Sequence, residues 1–145
     1  MNLHDTVKQF VDAFSREDLD AALAMFADDA EYHTFDGKVC RGKPAIWQEL
    51  EPQFRRAWGR IEFIGDKLIV DETQQTAVVT WWCQHYFDES GQDLFSKLRT
   101  RAMRVALGRT PAWYGADILE FENGLVKVKR TFAQSPVPLF RRQHA

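Results

Sequence analysis

The amino-acid sequence predicts an α+β fold in which helices come first and an antiparallel sheet follows. Three observations carry this. Apolar residues fall at helical spacing from Leu3 to Trp58, side chains alternate through most of the remainder, and Asn123-Gly124 joins two alternating runs. The stretch Trp113 to Arg130 therefore reads as a hairpin, since Asn-Gly tolerates the positive φ of a two-residue turn between twisted strands.

Leu3, Val7, Phe10, Val11 and Phe14 give a first amphipathic helix from about Leu3 to Phe14. Ser15-Arg16-Glu17-Asp18 breaks it, and Leu19, Leu23 and Phe26 make a shorter second helix ending near Ala27. Asp28-Asp29 turns the chain into a strand, Ala30 to Phe35, closed by Asp36-Gly37, where Asp36 is a turn former rather than a base. Gly42-Lys43-Pro44 opens a third helix with the apolar stripe Ile46, Trp47, Leu50, Phe54 and Trp58, bent near Leu50 or split by Pro52. Strands follow at Ile61 to Asp71, at Thr76 to Phe87, and, after a turn at Glu89-Ser90-Gly91, at Asp93 to Leu107. The hairpin then runs to about Gln134. Sequential strands pair as neighbours, which makes the sheet antiparallel. In the strand Leu94 to Val105, alternation puts Lys97, Arg99 and Arg101 on one face, a basic stripe read as a solvated outer face balanced by Glu120 and Glu122.

At 145 residues the chain is expected to be one domain, residues 1–145, with 135–145 as a tail that packs on a partner subunit, folds over a pocket mouth or frays. A hydrophobic fraction of 45% with five Trp and eleven Phe argues for a packed globule rather than disorder. The net charge of -2 supplies no global attraction to nucleic acid or to an anionic membrane, so neither is expected as a partner. Cys40 and Cys83 have no metal or disulfide spacing, and His4, His33, His85 and His144 lack the close spacing of a zinc site. No metal and no cofactor is therefore expected. With no signal-like N-terminus and no long apolar run, the expected location is the cytoplasm.

Asp117 is the residue most suggestive of chemistry. Alternation places Asp117, Leu119 and Phe121 on one face of the hairpin, with Ile118, Glu120 and Glu122 on the other. If the first face meets the core, desolvation favours the protonated carboxyl. The alternative is a place at the strand's start, satisfied by water or a backbone donor. His33 and His85 lie on strands, as pocket groups or as hydrogen-bonded packing residues. Trp81, Cys83, His85 and Phe87 share one face, and Trp82, Gln84 and Tyr86 the other; neither face is cleanly polar. Cys83 has no neighbouring cation or helix start to activate a thiolate.

The run Asp18-Leu19-Asp20, Ala24 to Ala30, Gly42-Lys43-Pro44-Ala45-Ile46 and Gly115-Ala116-Asp117 with Asn123 to Lys127 resembles the nuclear transport factor 2-like superfamily over nearly the whole chain. Within it the pattern is most similar to SnoaL-like polyketide cyclases and ketosteroid isomerases. The resemblance implies a cone of curved antiparallel sheet wrapped over three N-terminal helices, around one apolar pocket. The ketosteroid isomerase pattern would put a phenol at Phe10 and a carboxylate base at Thr34; only its second acid, at Asp117, is retained. The limonene epoxide hydrolase pattern would put an Arg and an Asp at Trp82 and Gln84, and again only Asp117 matches. SnoaL-like cyclases lean on one aspartate at the position matching Asp117, so the resemblance implies a cofactor-independent acid/base enzyme on an apolar ring-containing molecule.

Three functions stay open at this point. One is that enzyme, an isomerase, cyclase or lyase with Asp117 as proton carrier. A second is a binding module in which Phe10, Tyr32, Trp47, Trp82 and Tyr114 enclose an apolar small molecule unchanged, Thr34 and His85 being further candidates for contact with the bound molecule. The third is a homodimer built on the sheet's outer face.

Overall fold

A computed structural model describes residues 2–57, 59–86, 93–108 and 111–134. The first helix, α1 (Leu3–Ser15), starts where the Asn2 side chain accepts the Asp5 amide, and it buries Leu3, Val7, Phe10 and Ala13. Helix α2 (Leu19–Ala24) is capped by Asp18, whose carboxylate accepts the Ala21 amide. It is shorter than its apolar spacing suggests, because Phe26 belongs to strand β1 (Phe26–His33), where it is fully buried opposite Val126. A short strand that alternation did not reveal, β2 (Val39–Arg41), returns along β1. Helix α3 (Lys43–Phe54) runs through Pro52 and stops two residues later, so the proline's missing N–H costs only the last turn. Trp58 lies outside the described residues.

Strands β3 (Arg60–Asp71) and β4 (Thr76–Tyr86) pair along their length. The hairpin is β5 (Ala112–Glu122) and β6 (Leu125–Ala133). Asn123 (φ 52°) and Gly124 (φ 78°) make its turn, both in the left-handed region expected of this dipeptide. The six strands form one curved, open sheet in the order β2-β1-β6-β5-β4-β3. Every neighbour pair is antiparallel except β1 with β6, which is parallel. The helices α1 to α3 fill the concave side, where Val7, Phe10, Ile46 and Leu50 meet Phe26, Ala30, Ala77, Leu119 and Val126. No helix among the described residues is long and apolar enough to cross a membrane.

One element differs in kind. The segment expected as the strand Asp93 to Leu107 is helix α4 (Leu94–Leu107). Asp93 caps it by accepting the Ser96 amide at 2.7 Å, and Gly108 ends it at φ 87°. Its composition suits a helix, with Leu, Lys, Arg, Ala and Met dominating and few β-branched residues. The two-residue alternation of basic side chains was therefore not a sheet face. Glu120 and Glu122 do not balance it either: Glu120 pairs with Arg130, and Glu122 lies 3.8 Å from Lys127. The turn at Glu89-Ser90-Gly91, Phe87 and the tail 135–145 lie outside the described residues.

Candidate functional site

Register decides what enters the concave side. In β4, Ala77, Val79, Trp81, Cys83 and His85 point inward and are buried, and their partners across the ladder include Leu119, Asp117 and Gly115. Asp117 thus faces inward as alternation indicated. Its surroundings, however, are not purely apolar. Lys129 Nζ lies 2.5 Å from Asp117 Oδ1, with side-chain exposures of 5% and 16%, so the ion pair is largely withdrawn from water. Thr131 Oγ1 donates to the same oxygen at 2.5 Å, and Trp81 Nε1 donates to Oδ2 at 3.2 Å. Lys129 also donates to Thr131 Oγ1 at 2.6 Å and sits 4.7 Å from the centre of the Tyr32 ring. The Tyr32 hydroxyl is 3.5 Å from Thr131 Oγ1. Burial holds this phenol above its ordinary range, against the pull of the Lys129 charge, so it remains a neutral donor.

Lys129 reaches the interior because β6 is bulged. The register slips between Glu120 and Phe121, where Phe121 faces Val126 but Glu120 faces Val128, leaving Lys127 as the extra residue. Strict alternation from Val126 would turn Lys129 outward. The bulge puts Val126, Lys129 and Thr131 on one buried side.

The remaining sequence candidates are dispersed. Phe10 is core, in ring contact with Phe14 and Phe26 at 5.0 and 5.4 Å. Thr34 closes the turn after β1: its hydroxyl accepts the Lys38 amide at 2.9 Å and donates to Asp36. Trp47 is exposed on α3. Trp82 and Tyr114 meet with their rings tilted and ring centres 5.2 Å apart on the outer sheet face, where Tyr114 donates to Asp66 at 2.7 Å. Those two cannot line the concave side, since their strand neighbours Trp81, Cys83, Trp113 and Gly115 already do. His85 is inward, its ring 4.5 Å from that of Trp113. Only Asp117 and Tyr32, of the residues singled out from sequence, meet in one cluster. Lys129, Thr131 and Trp81 complete it.

Burial pushes the Cys83 thiol up to about 12, which leaves no reactive thiolate. It pushes the His85 imidazole down to about 4. The unfolded chain takes up a proton near pH 6.5 that the folded chain refuses until about pH 4. The contribution of His85 to stability therefore falls as pH drops through that window and levels off below it. Against wild type, His85→Gln is expected to lose less stability between those pH values, by on the order of 3 kcal/mol, in urea melts at each pH. Parallel pH profiles would exclude this account.

Space inside the sheet is limited. Trp81 is buried over Gly115, where a Cβ would come within 2.2 Å of the indole, and Phe63 packs edge-on at 5.1 Å. The hollow among Phe14, Gln53, Phe54, Ile61 and Phe63 holds only about 10 Å³. A larger groove of about 300 Å³ opens between α1 and β3, beside the bulge at Gly65 and Lys67. Val11, Leu68 and Val79 contribute its apolar lining. Val79 is the ladder partner of Asp117, so the groove ends one strand from the acid. Among the described residues, no three His, Cys, Asp or Glu side chains gather to hold a metal ion.

The model of the SnoaL-like domain matches residues 7–129, from within α1 to the lysine of the cluster. The chain belongs to the SnoaL-like domain family. A search of curated proteins returns no match. Among solved structures, this SnoaL-like chain is similar to a cystatin-like fold protein of unknown function from Xanthomonas campestris, with 17% identity, TM-score 0.69 and coverage of 93% of this chain and 92% of that one. It is also similar to Bal32a from a soil-derived mobile gene cassette, with 15% identity, TM-score 0.67 and coverage of 91% and 88%. A nuclear transport factor 2-like protein of unknown function from Burkholderia pseudomallei gives 19% identity, TM-score 0.66 and coverage of 90% and 89%. At these identities the likeness places the SnoaL-like chain in the cystatin-like, nuclear transport factor 2-like fold and says nothing of activity.

Proposed function

We propose that this SnoaL-like domain is a cofactor-independent acid/base catalyst on an apolar ring-containing small molecule, with Asp117 as the proton carrier. The observation that carries the reading is the Asp117–Lys129 pair itself. Withdrawing two charges from water costs more than their attraction returns in many proteins, so a buried pair beside a groove is a candidate for chemistry. The roles follow from the donors and acceptors present. The Asp117 carboxylate takes a proton from a carbon next to a carbonyl. The Lys129 ammonium and the neutral Tyr32 phenol donate to the oxygen on which negative charge collects. Asp117 then returns the proton to a different carbon or to the product. The groove ending at Val79 gives the ring its approach.

A second reading is a binding or dimerisation module of the same fold. It is favoured by Trp81 filling the concave side and by Ile64, Ile69, Trp82 and Phe132 standing exposed on the outer sheet face.

One experiment separates them. 2-Tetralone, an apolar ring ketone with acidic C–H bonds, is incubated with the protein in D2O, and deuterium uptake is followed by NMR. Wild type is expected to speed the exchange, and Asp117→Asn, assayed at a temperature where circular dichroism shows it folded, to lower that acceleration by about 100-fold or more. Full exchange by Asp117→Asn would remove Asp117 from the reading. Wild-type binding without exchange would leave the module.

A further inference from the structure

Helix α4 is amphipathic with its apolar side turned outward. Leu94, Leu98, Ala102 and Val105 follow the spacing i, i+4, i+8, i+11, and Phe95 widens the stripe at its start. In a helix docked by its apolar face these residues would be covered. Here Leu94 is 76% exposed, Phe95 74%, Leu98 57% and Val105 89%. The side that meets the body is the polar one. Thr100 is buried, Met103 is half-buried, and the Arg99 guanidinium donates to the Ala57 carbonyl at 2.5 Å.

Charge is as uneven as hydropathy. Lys97, Arg99, Arg101 and Arg104 all lie on α4, and none of the chain's 21 Asp and Glu does, although the net charge is -2. An apolar stripe of Leu, Phe and Val edged by cations, with no acid among them, suits an interfacial helix. The apolar side chains enter the acyl boundary, while Lys97, Arg101 and Arg104 stay at the level of the anionic headgroups; Arg99, turned to the Ala57 carbonyl, takes no part. A protein groove would equally accept the stripe, but it would not by itself favour a helix purged of carboxylates.

The geometry points to α4 as a docking helix that lays its Leu94, Phe95, Leu98 and Val105 face on an anionic lipid surface. The attachment is peripheral and reversible, since a single helix of 14 residues contributes one short stripe. It is independent of the chemistry at Asp117, which lies on β5.

The full-length chain is to be sedimented with vesicles of phosphatidylcholine alone and with vesicles containing about one-third phosphatidylglycerol. Binding to the anionic vesicles is expected to be at least about tenfold tighter. It should weaken as NaCl rises from about 0.1 to about 0.5 M, and by about tenfold or more in Leu98→Asp. Phe95→Ser serves as a second variant, and circular dichroism shows whether each stays folded. Equal binding to both vesicles, no binding to either, or binding unaffected by both substitutions would overturn the inference. So would loss of a dimer in Leu98→Asp by light scattering without any vesicle binding, which would make a second copy of the chain the occupant.

Discussion

Lys129→Met is expected to destabilise the fold by about 3 to 5 kcal/mol, a large part of the stability of a domain this size. The methionine fills much of the lysine's volume, so little of the loss comes from packing. The cost arises at Asp117. Its carboxylate keeps the hydroxyl of Thr131 and the indole N–H of Trp81 but loses the cation 2.5 Å away, in a place where the side chain is only 16% exposed. An unpaired charge so far from water is held poorly. Adding Asp117→Asn removes that charge, its amide oxygen accepting the indole N–H and its NH2 donating to the Thr131 hydroxyl, so Lys129→Met with Asp117→Asn is expected to regain at least half of the loss. Urea unfolding of the four proteins in the cycle measures this, provided the slopes agree. A loss under about 1 kcal/mol for Lys129→Met would mean that water reaches the pair freely. Asp117 and Lys129 would then be an ordinary solvated ion pair, and their burial would no longer mark a site of chemistry.

The reach of sequence reasoning was set by where the backbone stays regular. The hairpin was legible because Asn123-Gly124 names its own turn and because β5 keeps strict alternation, which is how Asp117, Leu119 and Phe121 were placed on the inner face. Helix α1 was legible for the same reason at period 3.6. Lys129 was not, since one extra residue in β6 moves it from the outer to the inner side, and nothing in Leu125-Val126-Lys127-Val128-Lys129 announces the slip. Lys129, between Val128 and Arg130, reads as a solvent-facing residue until the bulge is seen. The error at α4 has another origin. Lys97, Arg99 and Arg101 alternate, but Leu94, Leu98, Ala102 and Val105 repeat at helical spacing in the same segment, and Asp93 with Ser96 supplies a cap. Two periods coexisted there, and the helical one, backed by capping and propensity, won. The polar cluster was half visible. Its acid and its phenol lie on regular strand, whereas its cation depends on an irregularity.

Gly115→Ala is expected to cost about 3 kcal/mol or more, the upper end for adding one methyl group to a packed interior. The backbone is not the reason, since Gly115 is absent from the positions of positive φ. The obstacle is Trp81, whose Cη2, Cζ3 and Cζ2 atoms lie 2.2 to 2.6 Å from where the new Cβ would stand. The indole cannot easily withdraw. Phe63 holds it edge-on, and its N–H is committed to Asp117. Trp81→Ala alone should cost about 3 to 5 kcal/mol through lost burial and the space left behind. In that background Gly115→Ala should become nearly neutral, because the group it struck is gone, so the two substitutions should couple by about 2 kcal/mol or more. The coupling also bears on function. If the alanine costs the same with and without the tryptophan, the ring does not rest over Gly115 in solution, and the concave side beside Asp117 and Lys129 has room for a substrate ring. If the coupling is full, Trp81 holds that space, and any ring that reaches the acid must displace an indole anchored by the acid itself.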